Sequence, residues 1–163
     1  MTTKIKADEL PPSFIRIDKE GVWYYKGNEM FRKDIVKLFY QNLQRDESGR
    51  YYIALENDLA SLEVEDTAYV ITAVCKLGSV CEGNERISVL LNDETLEELD
   101  CETLHIGRDN VLYCTVKSVG HQARFLRTSY YQIADYFDYD DDRDCYFLPL
   151  NGARYYIKDH DSH

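Results

Sequence analysis

The sequence predicts an α+β fold of two related lobes, each a β-hairpin plus one amphipathic helix and further antiparallel strands. Three observations predict it. The stretch Arg16 to Lys26, RIDKEGVWYYK, reads as a hairpin, and FRKDIVKLFYQNL behind it carries apolar residues at helical spacing. The same arrangement returns in degraded form from His105 to Phe137. Between and after the two copies lie short aromatic and β-branched runs bounded by Gly, Asn and Asp, as strands and turns require. The first lobe is expected over 13–92 and the second over 93–158.

In chain order, Pro11-Pro12 favours an extended start. Phe14, Ile15 and Ile17 lead through the turn Asp18-Lys19-Glu20-Gly21 into Val22-Trp23-Tyr24-Tyr25. Gly27-Asn28 breaks that strand, and Asn28 is placed to cap the next helix. Phe31, Ile35, Leu38, Phe39 and Leu43 form its apolar stripe on a 3.6-residue period. Tyr51–Leu55 and Leu62–Asp66 read as strands, the second alternating apolar with acidic. Tyr69–Leu77 is a β-branched run fit for the middle of a sheet, and Arg86–Leu91 is its return. The acidic segment 92–100 reads as a connector.

The second copy opens with Leu104-His105-Ile106, turns at 107–110 and continues into Val111–Val116. A helix is expected after Gly120, carrying Leu126, Tyr130, Ile133, Ala134 and Phe137. Phe31 and Phe125 stand 94 apart, and at that offset Leu43 falls on Phe137 and Ile53 on Phe147 without gaps. The match is one of pattern rather than identity. Cys145–Leu150 and Ala153–Ile157, joined by Asn151-Gly152, form a closing hairpin, and the tail KDHDSH is expected to fray.

Composition bounds the function. With 44% hydrophobic and 13% aromatic residues over 163 positions, the chain has enough apolar mass for a packed core. Asp and Glu outnumber Lys and Arg 30 to 19, for a net charge of -11, which argues against a nucleic-acid partner and an anionic membrane surface. No apolar run approaches the roughly 20 residues of a spanning helix. MTTKIKADELPP lacks an apolar signal core, and the five cysteines show no CxxC pair. A cytoplasmic protein with reduced thiols is expected.

The matching pieces RIDKEGVWYYKG, the helix from Arg32, VEDTAYV, ARFLRTSYY and LNGARYYI stand in an order that resembles an uncharacterised bacterial family, domain of unknown function 1285. The resemblance runs from about Pro11 to Ile157. It implies an α+β fold with a repeated unit and a part in signal transduction without a defined activity, and it supplies no catalytic residue. The chain departs from the family's pattern in a shorter start and at GNEMFR, where a Pro and an Ile are expected before the Arg.

Several constellations are candidates for chemistry. Asp138, Asp140, Asp142 and Asp144 alternate like the first ligands of a calcium loop, but Arg143 and Pro149 stand where that loop needs Gly and Glu. A solvated acidic loop accounts for them, and no metal is expected. Glu63, Glu65 and Asp66 would serve acid–base chemistry if a cleft held them together, and otherwise make a wet sheet face. Arg124 and Arg127, three apart on the expected second helix, join Lys117 and His121 in the one local basic concentration. At a helix N-terminus they suit a phosphate or carboxylate; the competing explanation pairs them with the chain's own acids.

The expectation is therefore a non-enzymatic cytosolic binding or regulatory module. Its ligand-binding residues are expected to be Arg124, Arg127, Tyr130 and Arg32, at a seam between the lobes. A small anionic ligand or a protein partner is expected, without a cofactor. One alternative is a hydrolase-type enzyme using the carboxylate cluster, and another is a structural or oligomeric interaction protein. Oligomeric state is open at this level.

Overall fold

The computed structural model describes residues 4–159, so the tail histidines His160 and His163 lie outside the described residues. The chain divides into two compact units, Met1–Thr67 and Ala68–His163. Among the described residues, two α-helices and many strands in mixed sheets make the fold α+β.

In the first unit β1 (Pro12–Ile17) and β2 (Trp23–Tyr25) form the expected hairpin. Its turn is built by Asp18, whose carboxylate accepts from the N–H groups of Glu20 and Val22, both at 2.9 Å. Lys26 and Gly27 then adopt φ of 49° and 83°, as a two-residue hairpin turn requires, and return the chain as β3 (Asn28–Glu29). Asn28 is thus a strand residue rather than a helix cap. The helix α1 (Lys33–Gln41) starts later, with Arg32 at its N-cap. Phe31 precedes it and is 80% exposed, so the buried stripe begins at Ile35 rather than Phe31, and Leu43 belongs to a strand.

That strand, β4 (Leu43–Arg45), is followed by β5 (Tyr51–Leu55) and β6 (Asp58–Val64). The sheet order is β3-β2-β1-β6-β5-β4, with β6 parallel to β1 and every other pairing antiparallel. Alternation puts Ile15, Ile17, Trp23, Ile53 and Leu62 toward one face. Trp23 is 2% exposed, with its ring 6.0 Å from Phe39 and 4.8 Å from Tyr40 of α1. Its Nε1 is the one buried side-chain polar atom without a hydrogen-bond partner among the described residues.

The second unit begins with β7 (Tyr69–Leu77), β8 (Arg86–Leu91) and β9 (Leu96–Glu98), so the expected connector over 92–100 contains a strand. It continues through β10 (His105–Ile106), β11 (Leu112–Val116), β12 (His121–Phe125) and the helix α2 (Arg127–Ala134). Then come β13 (Asp138–Asp140), β14 (Cys145–Leu150), β15 (Ala153–Tyr156) and β16 (Lys158–Asp159). One sheet has the order β16-β10-β11-β12-β7-β8-β9, and the other is β13-β14-β15. Lys158 and Asp159, expected to fray, instead pair in parallel with β10.

Because β7 pairs with β12, residues 69–91 share a sheet with the second copy, and the division falls at 67/68 where the pattern suggested 92/93. β12 also occupies the stretch expected as the start of the second helix. Arg124 is a strand residue, paired with Tyr113 and Val70, because buried His121, Ala123 and Phe125 alternate with period 2.

The repeat is visible in the pairing. In each unit a strand pairs antiparallel with its successor and parallel with a later one, as β1 does with β2 and β6, and β10 with β11 and β16. The gap-free offset of 94 requires a correction of one residue in the strands. Tyr24 pairs with Glu29 as Tyr113 pairs with Arg124, and Leu55–Asp58 closes its hairpin as Leu150–Ala153 does, an offset of 95 in each returning strand. The helices keep 94, from Lys33 to Arg127.

Candidate functional site

A groove of about 530 Å³ opens on the helix-bearing face of the first unit's sheet. Its walls are apolar: Ile15 from β1, Tyr25 from β2, Ile53 and Leu55 from β5, Ile35 from α1, and Phe31 ahead of α1. Tyr25 remains 47% exposed and Phe31 80%, on a wall shared with other apolar groups. The cause is local. β3 is only two residues long, and the chain from Met30 to Arg32 climbs to the helix without a neighbour strand to cover it. Fully covering a Phe side chain is worth about 1.5–3 kcal/mol, most of which Phe31 forgoes in the free chain.

Among the groove's charged residues is Arg32, the one predicted site residue that reaches it. Its guanidinium forks onto Asp34, Nε to Oδ1 at 3.3 Å and the terminal nitrogen to Oδ2 at 2.8 Å. Those hydrogen bonds hold the Asp34 carboxyl below its ordinary range. The pair is largely exposed, so a competing anion or a docking chain displaces it at little cost.

The opposite face of the same sheet carries a hollow of about 880 Å³ that mixes apolar residues such as Phe14 with the charged Arg16, Arg50, Glu63 and Asp66. Arg16 and Arg50 are engaged within the unit. Glu65 lies 3.8 Å from Arg16 and accepts the Lys19 N–H at 2.6 Å, which spends it on the first hairpin's turn. Arg50 lies 3.8 Å from Asp8. Asp46 accepts from Ala7, Ser48 and Arg50, and the Ala7 N–H foremost brings its carboxyl down to about 2.

The residues of the predicted basic concentration lie on different elements of the second unit, Lys117 after β11, His121 and Arg124 on β12, and Arg127 at the start of α2. Lys117 Nζ donates to Asp93 Oδ2 at 2.8 Å and Thr95 Oγ1 at 2.9 Å, and it lies 3.3 Å from Glu97. Burial pushes the Asp93 carboxyl up, but the hydrogen bonds from Lys117 and Thr95 outweigh it and hold the group below its usual range. His121 is buried, 5.2 Å from the Tyr69 ring. Arg124 lies in β12 and Arg127 at the exposed start of α2, so their spacing of three is not a helical one. Tyr130 is exposed on α2, its ring 5.8 Å from Tyr131.

The acidic loop is organised by its own backbone. Asp140 accepts from the N–H groups of Asp142 and Arg143 and from the Tyr156 hydroxyl at 2.7 Å, which above all keeps its carboxyl acidic. The Tyr139 hydroxyl donates to Asp144. Of the thiols, Cys75 and Cys81 are exposed, while burial pushes Cys101 up to about 11 and raises Cys114 as well. Among the described residues, no helix is long and apolar enough to cross a membrane.

Residues 6–67, nearly the whole first unit, match the family described as Domain of unknown function (DUF1285), N-terminal domain. The family resemblance holds. The structure of a DUF1285 family protein from Silicibacter pomeroyi DSS-3 superposes with a TM-score of 0.72 at 19% identity, over 97% of this chain and 88% of that one. A DUF1285 family protein from Shewanella baltica OS155 gives a TM-score of 0.62 at 20% identity, over 77% of this chain and 94% of that one. At these identities the likeness is one of fold. No curated protein matches the chain. The DUF1285 N-terminal match ends at residue 67, where the first unit itself ends, and the groove lies wholly inside it.

The sequence pointed to Arg32 and missed the rest of the groove. In the sequence Tyr25 fits hairpin packing or a pocket wall, with packing the simpler account, and Phe31 fits an apolar helical stripe. The available signal was the pair Met30-Phe31, apolar yet set between a two-residue turn and the first helical residues.

Proposed function

We propose that this chain is a non-catalytic binding module that docks an apolar segment of a protein partner in the groove of its first unit. The observation that supports this reading is the exposure of Phe31 and Tyr25 on an otherwise apolar wall within the DUF1285 N-terminal match. A groove of this kind gains affinity by burying aromatic anchors, and its cost to the free protein is tolerated where a partner covers it. Such docking would suit the regulatory and signalling role that the family resemblance implies. Five free cysteines, two of them exposed, support a reducing, cytoplasmic setting.

The test is selection of peptides from a random displayed library against the full chain, repeated on Phe31→Asp and Tyr25→Ala. Both side chains are substantially exposed, so both variants are expected to fold, which circular dichroism checks. Enrichment of peptides whose affinity drops at least tenfold in both variants is the expected result. If no peptide is enriched, or binding is indifferent to both substitutions, the groove is not a docking site.

A further inference from the structure

The second unit has the counterpart of this groove, and there it is filled. The paired registers and the helix starts give the correspondence. Ile15 answers to Leu104, Tyr25 to Cys114, Met30 to Phe125, Leu55 to Leu150, and Phe39 to Ile133. In the first unit Tyr25 is exposed, and Met30, Leu55 and Phe39 are half-buried. In the second unit all five counterparts are buried, Leu104, Cys114 and Ile133 completely.

The β7–β8 hairpin accounts for the difference, since among the described residues the first unit's sheet ends at β3 without an equivalent of it. β7 pairs in parallel with β12, setting Ile71 opposite Phe125. Beyond that point it runs beside α2. The Ile71 carbonyl accepts from Ser129 Oγ at 2.6 Å and from the Leu126 N–H at 3.2 Å, and the Val74 N–H donates to Gln132 Oε1 at 2.7 Å. At the far side the start of β8 clasps the β14–β15 turn. The Glu85 N–H donates to Asn151 Oδ1, the Asn151 N–H to Glu85 Oε1, and Asn151 Nδ2 to the Glu85 carbonyl, at 2.7, 2.9 and 2.8 Å. The hairpin therefore spans from the end of β12 past the helix to the turn of the next hairpin. The first unit's groove lies between the corresponding landmarks, with Met30 and Phe31 on one wall and Leu55 and Asp58 on the other.

The edge needed to receive a strand is present as well. β3 ends the first unit's sheet. The Met30 N–H donates to the Trp23 carbonyl at 2.8 Å, toward β2, so alternation turns the N–H groups of Glu29 and Phe31 to the outer edge. In the second unit the corresponding outward group after β12, the Leu126 N–H, is the one that binds Ile71.

We infer that the groove is a vacant strand seat, and that its occupant is an extended segment of a partner protein, added parallel to β3 with alternate apolar side chains packed beside α1. This rests on the reading that the groove docks a partner, and it specifies how. Main-chain pairing supplies part of the affinity, and alternate side chains supply the selectivity.

The experiment uses the tightest groove-dependent peptide from the library selection, with the full ¹⁵N-labelled chain. Amide exchange at Glu29 and Phe31 is expected to slow at least tenfold on saturation. Singly N-methylated versions of the peptide are expected to lose binding at alternate positions only. Groove-dependent binding without that alternation, or with Glu29 and Phe31 unprotected, overturns the strand seat and leaves the docking function standing. A failure to select any groove-dependent peptide overturns both. Doubling of mass, with the groove covered by a second copy of this chain in place of peptide, also overturns the inference.

Discussion

The two units are one motif under two conditions. In the second, a hairpin inserted ahead of the repeat seals the face beside the helix, and the residues there behave as core. In the first, the same face stays open, and Phe31 and Tyr25 stand in water. The lesson is that a repeated hairpin–helix–strand unit does not by itself bury its own apolar face. It needs a further strand, and among the described residues only the second copy is paired with one.

The contrast is broken most severely at Ile71. Replacing this fully buried residue with Ala removes atoms from a closed seat and is expected to cost about 2–5 kcal/mol in chemical denaturation. The open copy should answer differently. Phe31→Ala is expected to stay within about 0.5 kcal/mol of the parent, as surface substitutions do. A loss above 2 kcal/mol there would mean that Phe31 is covered in solution.

The clasp at the β14–β15 turn comes next. Asn151→Ala removes two hydrogen bonds to Glu85 and places Ala at φ of 52°, a left-handed conformation Asn tolerates better. A cost of about 1–2 kcal/mol is expected. Amide exchange should rise in the β7–β8 hairpin and not in β1–β3. Uniform change across both units would show that the clasp does not hold that hairpin.

The smallest effects are those of pH. Asp46 in the first unit and Asp93 in the second have folded-state carboxyls below the ordinary value, so each stabilises its unit above the unfolded pKa of about 4. That contribution fades as pH falls through the folded value, about 2 for Asp46. Stability should therefore decline below pH 4. Asp46→Asn should flatten the decline for the N-terminal segment held at Ala7, and Asp93→Asn for the turn held by Lys117. An unchanged acid limb in Asp93→Asn would mean that the Lys117 pairing contributes nothing to folding.

Much of the local structure was legible in the sequence. Asp18 to Gly21 and Asn151-Gly152 announced their turns because the side chains and φ values those turns need belong to few residues. Arg124 was misplaced because an apolar run read from one strand into one helix has no clear join, and the helix starts at Arg127 only after Leu126 has left the strand in an extended conformation. Met30 and Phe31 look like core residues in isolation, since hydrophobicity does not state which neighbour arrives.

The sequence by itself determined the α+β class, the turns that space the strands, and the repetition of a hairpin, a helix and a returning strand. These follow from interactions within about ten residues. The tertiary structure alone decided that β6 and β16 return in parallel, that 69–91 belong with the second copy, and that one of two matching faces is covered. Each of those depends on pairings between residues tens of positions apart, where loop closure and the competition among edges decide the outcome and local preference is silent.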